Sequence, residues 1–431
     1  MTQGGASFGA YIVVVLLLGL VVVGVGVGIY FLVKRARYVR ALRDRGWRFD
    51  SRPSPEVAHG LTIPPFGVGL RRGTDEHIAG RTQAGIPFQV FEYQQVGDAN
   101  VACLRLPLPL PELVVTAADQ TRRGIVAQPQ PHLGTGATVF CDDDAFARQF
   151  LSVAGSAIDA FAVRYPLNLA IDGDQLTQVG APTEPEELAA YLETLAPIVV
   201  AAQAASAALE PFAQPQVPQR LGFYRRPTWY YQQRNDELLQ HVEHTRNGNN
   251  HQARDVIRGE FYPGAQFIAL SHHWQTQRVQ TVTGPNGQVS SRTVTEHHEE
   301  VIHELLLSFH SPELTITNDS RLRRFLTGPS IDFESAEFNR LFDVYCPVPK
   351  FAYDVLHPRQ IEYLLALRPP PFTMAGNRIR LTPSQHCVEQ LDAELAAIAG
   401  FLARIPDFAW QELQHPRPFS LDERGVAVLA G

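Results

Sequence analysis

The sequence predicts a mixed α+β protein, in which one N-terminal transmembrane helix precedes two tandem, mainly antiparallel sheet-plus-helix domains related by internal duplication. Three observations lead to this prediction: a long uncharged apolar run near the N-terminus, sequence blocks that recur in the two halves, and period-two alternation followed by helical periodicity within each half. Strands do not alternate regularly with long helices, so a doubly wound parallel fold is not expected. A chain of 431 residues is long enough for two or three domains.

The apolar run covers residues 10–33, AYIVVVLLLGLVVVGVGVGIYFLV, and contains no charged side chain. At about 1.5 Å per residue a helix over this run is about 36 Å long. That length crosses a hydrocarbon core of about 30 Å with some tilt. A cleaved signal peptide would begin with basic residues and have a shorter apolar stretch, whereas residues 1–9 carry no charge. We therefore expect a retained anchor preceded by a short extracytoplasmic N-terminus.

The juxtamembrane segment, residues 34–48, is strongly basic and contains one acid, Asp44. By the positive-inside rule this segment lies in the cytoplasm, which predicts a single-pass inner-membrane protein with its N-terminus outside and its body cytoplasmic. An extracytoplasmic body is the alternative. The same segment is expected to contact anionic lipid headgroups. The four basic residues nearest the apolar run are the predicted contacts: Lys34, Arg35, Arg37 and Arg40.

A GxxxG motif inside the apolar run suggests a way for two anchors to associate. Gly24 and Gly28 form this motif. Small residues at this spacing let two membrane helices approach closely, so a homodimer through these two glycines is a possible arrangement. The motif is frequent in glycine-rich spans, which keeps the homodimer an open alternative.

The charge of the body argues against nucleic acid as a partner. The chain has 37 Lys and Arg and 44 Asp and Glu, of which seven basic residues and one acid lie between residues 34 and 48. The remainder holds 30 basic and 43 acidic residues, a net charge of −13. Phosphate binding requires a basic surface, so we expect no nucleic-acid partner.

Four sequence blocks recur in the same order in the two halves of the chain, and their length differences fall in predicted loops. IAGRTQAGIPF at 78–88 matches IRGEFYPGAQF at 257–267, and PEL at 111–113 recurs at 312–314; Phe146 and Phe150 match Phe338 and Phe342, and IDGDQL at 171–176 matches MAGNRI at 374–379. We interpret these matches as a tandem duplication. The first repeat is predicted over residues 49–205 and the second over residues 221–412.

Each repeat is expected to contain a β-meander, a short helix, further strands and a longer closing helix. In the second repeat GPNG at 284–287 indicates a hairpin turn, and Glu334 and Ser335 are suited to starting the short helix. Residues 206–220 are rich in Pro and Gln and are predicted as the linker. Residues 413–431 are predicted as a C-terminal tail.

The second repeat resembles a family of uncharacterised bacterial membrane-anchored proteins that is known as a domain of unknown function. The similarity lies in FESAEFNRLFDVYCPVPKFAYDVLHPRQIEYLL at 333–365, with the pattern E-x-x-x-F-N-x-x-F-x-V followed by F-A-x-x-V-L-x-P. It extends over residues 229–412. In the first half RGWRF, PPFG and FQVFEY are similar to the same pattern. The resemblance implies membrane tethering and a shared fold, and it transfers no catalytic residues.

Two histidine-rich patches flank the predicted hairpin turn: SHHWQ at 271–275 and EHHEEVIHE at 296–304. With the Asn-Gly pair central in the turn, His272 is expected opposite Val301. Glu299 and His303 would then lie diagonally from His272 on the same face of the sheet. Two imidazoles and a carboxylate suit Zn²⁺, so His272, His303 and Glu299 form the predicted metal site. His273, His298 and Glu300 are expected on the opposite face.

The first repeat offers no counterpart of this set, because the aligned positions are Tyr93, Asp98 and Ala102. The order HEEVIH also differs from the HExxH of zinc proteases. The competing interpretation is therefore a polar hairpin stem that contacts a partner.

The sequence lacks the other motifs that would indicate catalysis or a cofactor. The four cysteines form no CxxC pair, no GxSxG elbow occurs, and GTGAT at 134–138 is too short for a phosphate loop. We expect a membrane-tethered cytoplasmic module that binds another protein as a scaffold, without catalysis or cofactor. The alternatives are a metal-dependent hydrolase that uses the histidine-rich hairpin and a lipid-binding module.

Overall fold

The computed structural model describes residues 5–94, 99–117, 137–216, 218–283, 289–318 and 330–430. The chain divides into two compact units. Unit 1 consists of Met1–Phe66 and Arg71–Gln219, and unit 2 of Gly67–Leu70 and Arg220–Gly431. Both are mixed α+β with antiparallel sheets, which confirms this part of the predicted fold class; the internal duplication stays a prediction.

Unit 1 has a six-stranded sheet in the order β1-β2-β3-β4-β5, with β6 also paired to β4. Its elements are α1 (Gly5–Asp44), β1 (Arg48–Asp50), β2 (Thr74–Arg81), β3 (Pro87–Tyr93), β4 (Ala99–Ala117), β5 (Ala137–Phe140), α2 (Asp144–Ala162), β6 (Asn168–Val179), α3 (Pro185–Ala204) and α4 (Ser206–Leu209). The length of β4 explains its three neighbours. Its first part pairs with β3, its last four residues pair with β5, and β6 runs along most of its length.

Helices α2 and α3 supply the core of unit 1. The side chains of Phe146, Phe150 and Phe161 on α2 are completely buried, because their spacing places them on one face of the helix. Asp143 accepts a hydrogen bond from the Phe146 backbone N–H at 2.9 Å and so caps the N-terminus of α2.

Unit 2 has a seven-stranded sheet in the order β12-β11-β10-β9-β8-β7, with β13 also paired to β11, and a separate hairpin β14-β15. Its elements are β7 (Leu221–Phe223), β8 (Arg226–Arg234), β9 (Asn249–Tyr262), β10 (Ala265–Thr283), β11 (Val289–Thr317), α5 (Ala336–Leu341), β12 (Asp343–Tyr345), α6 (Pro349–Val355), α7 (Pro358–Leu367), β13 (Phe372–Leu381), α8 (Val388–Arg404), α9 (Asp407–Glu412), β14 (Phe419–Leu421) and β15 (Ala427–Leu429). The β14-β15 hairpin lies in the predicted tail, where Phe419 is buried against Phe261 and Tyr262.

The hairpin of β10 and β11 extends beyond its neighbours in the sheet. β9 leaves β10 after the pair Gln275–Asn249, whereas β10 and β11 stay paired to Thr283–Val289. Residues 276–283 and 289–296 therefore form a two-stranded ribbon with no third strand among the described residues. At about 3.3 Å per residue the ribbon is roughly 25 Å long. The predicted GPNG turn lies outside the described residues.

The predicted linker, residues 206–220, starts with structure that packs on unit 1. Leu209 is fully buried, and the Phe212 ring lies 5.7 Å from that of Phe146. These two apolar side chains, three residues apart, hold α4 and the following turn on the core. The division between the units falls after Gln219.

Helix α1 is continuous from Gly5 to Asp44 and includes the predicted anchor. Among the described residues, no single helix meets the length and hydropathy needed to cross a membrane. Helix α3 and residues Ser206–Phe212, bent by 75°, reach that length and composition only as a pair. The anchor over residues 10–33 stays a prediction.

A tryptophan, a glycine and a phenylalanine pack together in each unit. In unit 1 Trp47 lies 5.1 Å from Phe88, which is paired with Gly80 across the sheet. The same arrangement recurs in unit 2 for Trp229, Phe267 and Gly259, with ring centroids 4.8 Å apart. Glycine is required at both positions because the indole ring lies against the backbone.

Alanine at Gly259 is expected to destabilise unit 2 by about 1–3 kcal/mol, since its Cβ would lie 2.5 Å from Phe267 and 2.8 Å from Trp229. Gly80→Ala should cost unit 1 a similar amount, with a Cβ 2.5 Å from Trp47. Urea unfolding of the full chain measures both effects. Gly155→Ala is the control, because Gly155 lies in α2 with open space around it and should be neutral or slightly stabilising. Wild-type stability in the first two variants would contradict the packing argument.

Candidate functional site

The register of the hairpin differs by one residue from the prediction. His272 is paired with Glu300, not with Val301. Because side chains alternate along a strand, this shift exchanges the two faces of β11. Glu300 shares a face with His272, and Glu299 and His303 lie on the opposite face. The predicted metal set of His272, His303 and Glu299 is therefore not brought together, and this part of the prediction is wrong.

His272 instead lies beside two histidines that the sequence analysis did not select. His244 is on the loop before β9, His251 is on β9 and His272 is on β10. One nitrogen from each ring lies within 4.8 Å of the other two. The Nδ1 of His251 is 2.9 Å from the Nε2 of His272. The only sequence signal was the stretch HTRNGNNH at 244–251, which ends in a histidine at each side.

Hydrogen bonds fix the orientation of two of these rings. The Nδ1 of His272 lies 2.8 Å from Glu300 Oε1, and because the carboxylate only accepts, the imidazole donates. The same oxygen accepts from the Thr245 backbone N–H at 2.9 Å. The Nδ1 of His244 lies 3.3 Å from the Val242 carbonyl oxygen. In both rings Nδ1 thus carries the proton and Nε2 the lone pair.

Aromatic stacking closes one side of this group. Trp274 stacks on His272 with ring centroids 4.9 Å apart, and His298 stacks on Trp274 at 5.2 Å. His244 and His272 are buried, whereas His251 is half-buried. Burial lowers the pKa of both His244 and His272 below the usual histidine value, against the opposing effect of Glu300. The buried pair is therefore neutral at neutral pH.

A second group lies on the opposite face of the hairpin, between β11 and α8. His303 Nδ1 is 2.6 Å from Glu394 Oε2, and its Nε2 is 3.1 Å from His386 Nδ1. His386 Nε2 donates to the Asp255 carbonyl at 2.6 Å. His303 and Glu394 are almost completely buried. Because every nitrogen has a partner within the fold, this chain of hydrogen bonds serves packing.

Glu299, the third predicted ligand, belongs to neither group. It accepts a hydrogen bond from the Ser271 hydroxyl at 2.6 Å and lies 3.9 Å from His273 Nε2. Its side chain is more than half exposed, at 58%. Glu299 is therefore a surface residue of the sheet.

Unit 2 is expected to lose stability as the pH falls below about 6.5, the ordinary pKa of histidine. Burial lowers the pKa values of His244, His272 and His386 in the folded state. The unfolded chain therefore takes up protons first, and the loss grows until the pH reaches the folded-state pKa values. Urea unfolding with chelator present, at pH 7.5 and at pH 5.5, measures this loss. The His386→Asn variant should lose less stability between these two pH values. An equal loss in that variant would contradict a contribution of His386 to the pH dependence.

Comparison with known proteins gives little additional information. No family model matches the chain, and no curated protein matches its sequence. The crystal structure of the mycobacterial trehalose monomycolate transport factor A, TtfA, is similar with a TM-score of 0.32 and 15% sequence identity, over 42% of this chain and 97% of that chain. A TM-score this low does not establish a shared fold. The resemblance drawn over residues 229–412 stays a prediction.

Proposed function

We propose that this chain is a membrane-tethered cytoplasmic scaffold that binds another protein through the ribbon of unit 2 and performs no catalysis. The ribbon is the observation that carries the proposal. Both of its outer edges offer backbone N–H and C=O groups without a neighbouring strand among the described residues. An isolated two-stranded ribbon is only marginally stable in water, so an added strand from a partner would stabilise it.

The side chains of the ribbon favour a protein partner with an extended segment. Val279 and Val289 are 66% and 69% exposed, and the residues around them are polar or charged. Arg278 lies 3.9 Å from Glu296 across the ribbon, at a largely exposed position. Such a surface provides backbone hydrogen bonds for affinity and alternating side chains for selectivity.

The proposed duplication accounts for the two units. The matched sequence blocks coincide with matched pairing: Phe88–Leu104 and Leu104–Leu176 in unit 1 correspond to Phe267–Leu305 and Leu305–Ile379 in unit 2. The irregularities in the pairing also coincide. Gly173, with φ of 61°, faces Leu110, and Gly376, with φ of 57°, faces Ser311. The ribbon has no equivalent among the residues of unit 1 that the structure describes, so we assign partner binding to unit 2.

The anchor and its orientation belong to the same proposal. They are supported by the uncharged run over residues 10–33 and by the basic segment that follows it. A Cβ built at Gly24 or at Gly28 would meet nothing within 4 Å, so this side of α1 is open to a second copy. Fusing a fluorescent protein that matures only in the cytoplasm to the C-terminus tests the orientation. We expect the fusion to fluoresce. A fusion that is stably present but not fluorescent would indicate the opposite orientation in the membrane.

Photo-crosslinking in intact membranes tests the ribbon. A photoreactive residue at Val279 should give one dominant protein adduct, whereas the same residue at Val163, which is 85% exposed in unit 1, should not. A second variant replaces residues 276–296 by a two-residue turn and keeps the rest of the sheet. In a pull-down that uses the otherwise complete chain, we expect this variant not to recover the protein that crosslinks to Val279. Recovery of the same partner from the shortened variant would overturn the proposal.

A second candidate function, binding of an anionic lipid, rests on a cavity of about 1000 Å³ in unit 1. Three of the four predicted lipid contacts, Lys34, Arg35 and Arg37, line it together with apolar residues of α1. Glu76, Glu184 and Glu186 also line it and oppose an anion. Mass spectrometry of the full chain released from detergent would show retained phosphatidylglycerol, and Arg35→Gln with Arg37→Gln should reduce it. Equal retention in the variant would exclude this site.

A further inference from the structure

Three histidines of unit 2, His244, His251 and His272, come from a loop and from two different strands. The repeat pattern of a single helix or hairpin does not bring them together. His244 and His272 are buried, and the third ring, His251, is half-buried at the edge. Their nitrogens lie within 4.8 Å of one another. Three converging imidazoles are one of the ligand sets that hold Zn²⁺ in proteins.

We propose that His244, His251 and His272 bind one Zn²⁺ ion through one imidazole nitrogen each. Zn–N bonds of about 2.0–2.1 Å in a tetrahedral site place the ligand nitrogens about 3.3 Å apart. The separations here, 2.9 Å between His251 and His272 and no more than 4.8 Å overall, are close to that value. A small movement of the side chains therefore completes the site, and water takes the fourth position.

The groups around the rings are those that support a metal-binding histidine. Glu300 holds Nδ1 of His272, and the Val242 carbonyl holds Nδ1 of His244. A carboxylate or carbonyl that accepts from the distal nitrogen fixes the tautomer and the ring orientation of metal ligands. Glu300 in turn accepts from the Thr245 N–H, so its own position is fixed.

His251 is the ligand that has to rearrange. Its ring is nearly parallel to that of His272, with an angle of 11° between them. Because Nε2 of His272 accepts, Nδ1 of His251 donates the 2.9 Å hydrogen bond between them. Metal binding moves the proton of His251 from Nδ1 to Nε2 and turns the ring, which its partial exposure permits. The neutral cluster then loses no proton.

The chemistry of the ligands selects the metal. Three neutral nitrogen donors suit Zn²⁺ and other late first-row ions, whereas Ca²⁺ and Mg²⁺ require oxygen ligands. The ion would link three elements next to the base of the ribbon: the loop that contains His244, strand β9 and strand β10. Binding to the folded state alone would raise the stability of unit 2 with increasing Zn²⁺ concentration.

The test uses the full chain in detergent, prepared without a polyhistidine tag and stripped with a chelator. Titration with Zn²⁺ against a chromogenic chelator should give one tight site per chain. His251→Gln, at the half-buried position, should remove this site and leave the fold intact by circular dichroism. Glu300→Gln should weaken Zn²⁺ binding by about 10–100-fold. His273→Gln is the matched control, because His273 is adjacent in β10 on the other face, and it should bind as the wild type does.

Co²⁺ provides an independent measurement of the ligands. Tetrahedral Co²⁺ with three nitrogen ligands and water gives intense visible absorption bands, which should be present in the wild type and His273→Gln and absent in His251→Gln. The proposal would be overturned if the wild-type protein took up no more metal than His251→Gln does. Equal loss of uptake in His273→Gln would also overturn it, since binding would then involve the exposed hairpin histidines.

Discussion

Replacing Glu394 by alanine is expected to lower the free energy of unfolding of unit 2 by about 3–5 kcal/mol. The carboxylate is 2% exposed and lies 2.6 Å from Nδ1 of His303, which is equally buried. Gln390 also donates to it at 2.8 Å. The alanine variant leaves His303 without its partner in a site that water does not reach and creates a cavity on α8.

Urea unfolding followed by tryptophan fluorescence measures this loss, because Trp229, Trp274 and Trp410 all lie in unit 2. Replacing both His303 and Glu394 by leucine should restore part of the stability, since the completely buried pair is removed together and only the half-buried His386 and Gln390 lose a partner. Glu299→Ala is the control, because Glu299 is an exposed acid on β11, the strand of His303, and it should change the free energy by no more than about 0.5 kcal/mol. A Glu394→Ala variant as stable as this control would show that the pair does not stabilise the fold.

Asp172→Ala is expected to destabilise unit 1 by about 3 kcal/mol. Oδ2 of Asp172 accepts the backbone N–H groups of Thr62 and Ile63 at 2.6 and 2.7 Å. The carboxylate is 5% exposed, so alanine leaves two donors in a site with little access to water. Each unsatisfied buried donor costs about 1–3 kcal/mol.

Thiol labelling during urea unfolding measures this second effect, because Cys103 and Cys141 of unit 1 are buried and react only when the unit opens. Burial also raises the pKa of the Cys141 thiol to about 11, which slows its reaction in the folded state. Asp174→Ala is the control, since Asp174 pairs with Arg105 near the surface and should matter by less than about 1 kcal/mol. Equal labelling of both variants would contradict the role of Asp172.

The two buried contacts tested by these variants have no counterpart in the other unit. The block match aligns Asp172 with Ala375, and His303, the partner of Glu394, with Ala102. The proposed duplication therefore keeps the strand order and the tryptophan–glycine–phenylalanine packing while the buried polar contacts differ. These contacts are where we expect the two units to respond differently to mutation and to pH.

Much of the fold could be predicted from local patterns. The alternation in β3 and β4 and the apolar spacing of α2 predict an antiparallel sheet with packed helices, because such elements bury one face. The site could not be predicted in the same way. A shift of one residue in the pairing moves Glu300 to the face of His272 and Glu299 away from it, and the turn sequence alone does not determine that shift.

His244 and His251 were missed for a different reason. They are 28 and 21 residues before His272, and nothing local relates a loop residue to a residue on a neighbouring strand. Their meeting depends on the pairing of β9 with β10, in which Ala253 lies opposite His272. The placement of the loop by Leu238 and Leu239, which pack into a small core on this face, is also a tertiary effect.

Strand β11 has different surroundings along its length. Around Glu304 it is paired on both sides, with β10 and with β13, whereas in the ribbon it has a paired neighbour on one side only within the described part of the chain. Local opening therefore requires the rupture of two ladders at one end of this strand and of one at the other. In one continuous strand, the amide hydrogens of the doubly paired part are therefore expected to exchange as slowly as those of the core. The amide hydrogens of the ribbon part are expected to exchange fast. Occupation of the free edge of the ribbon would make this gradient disappear.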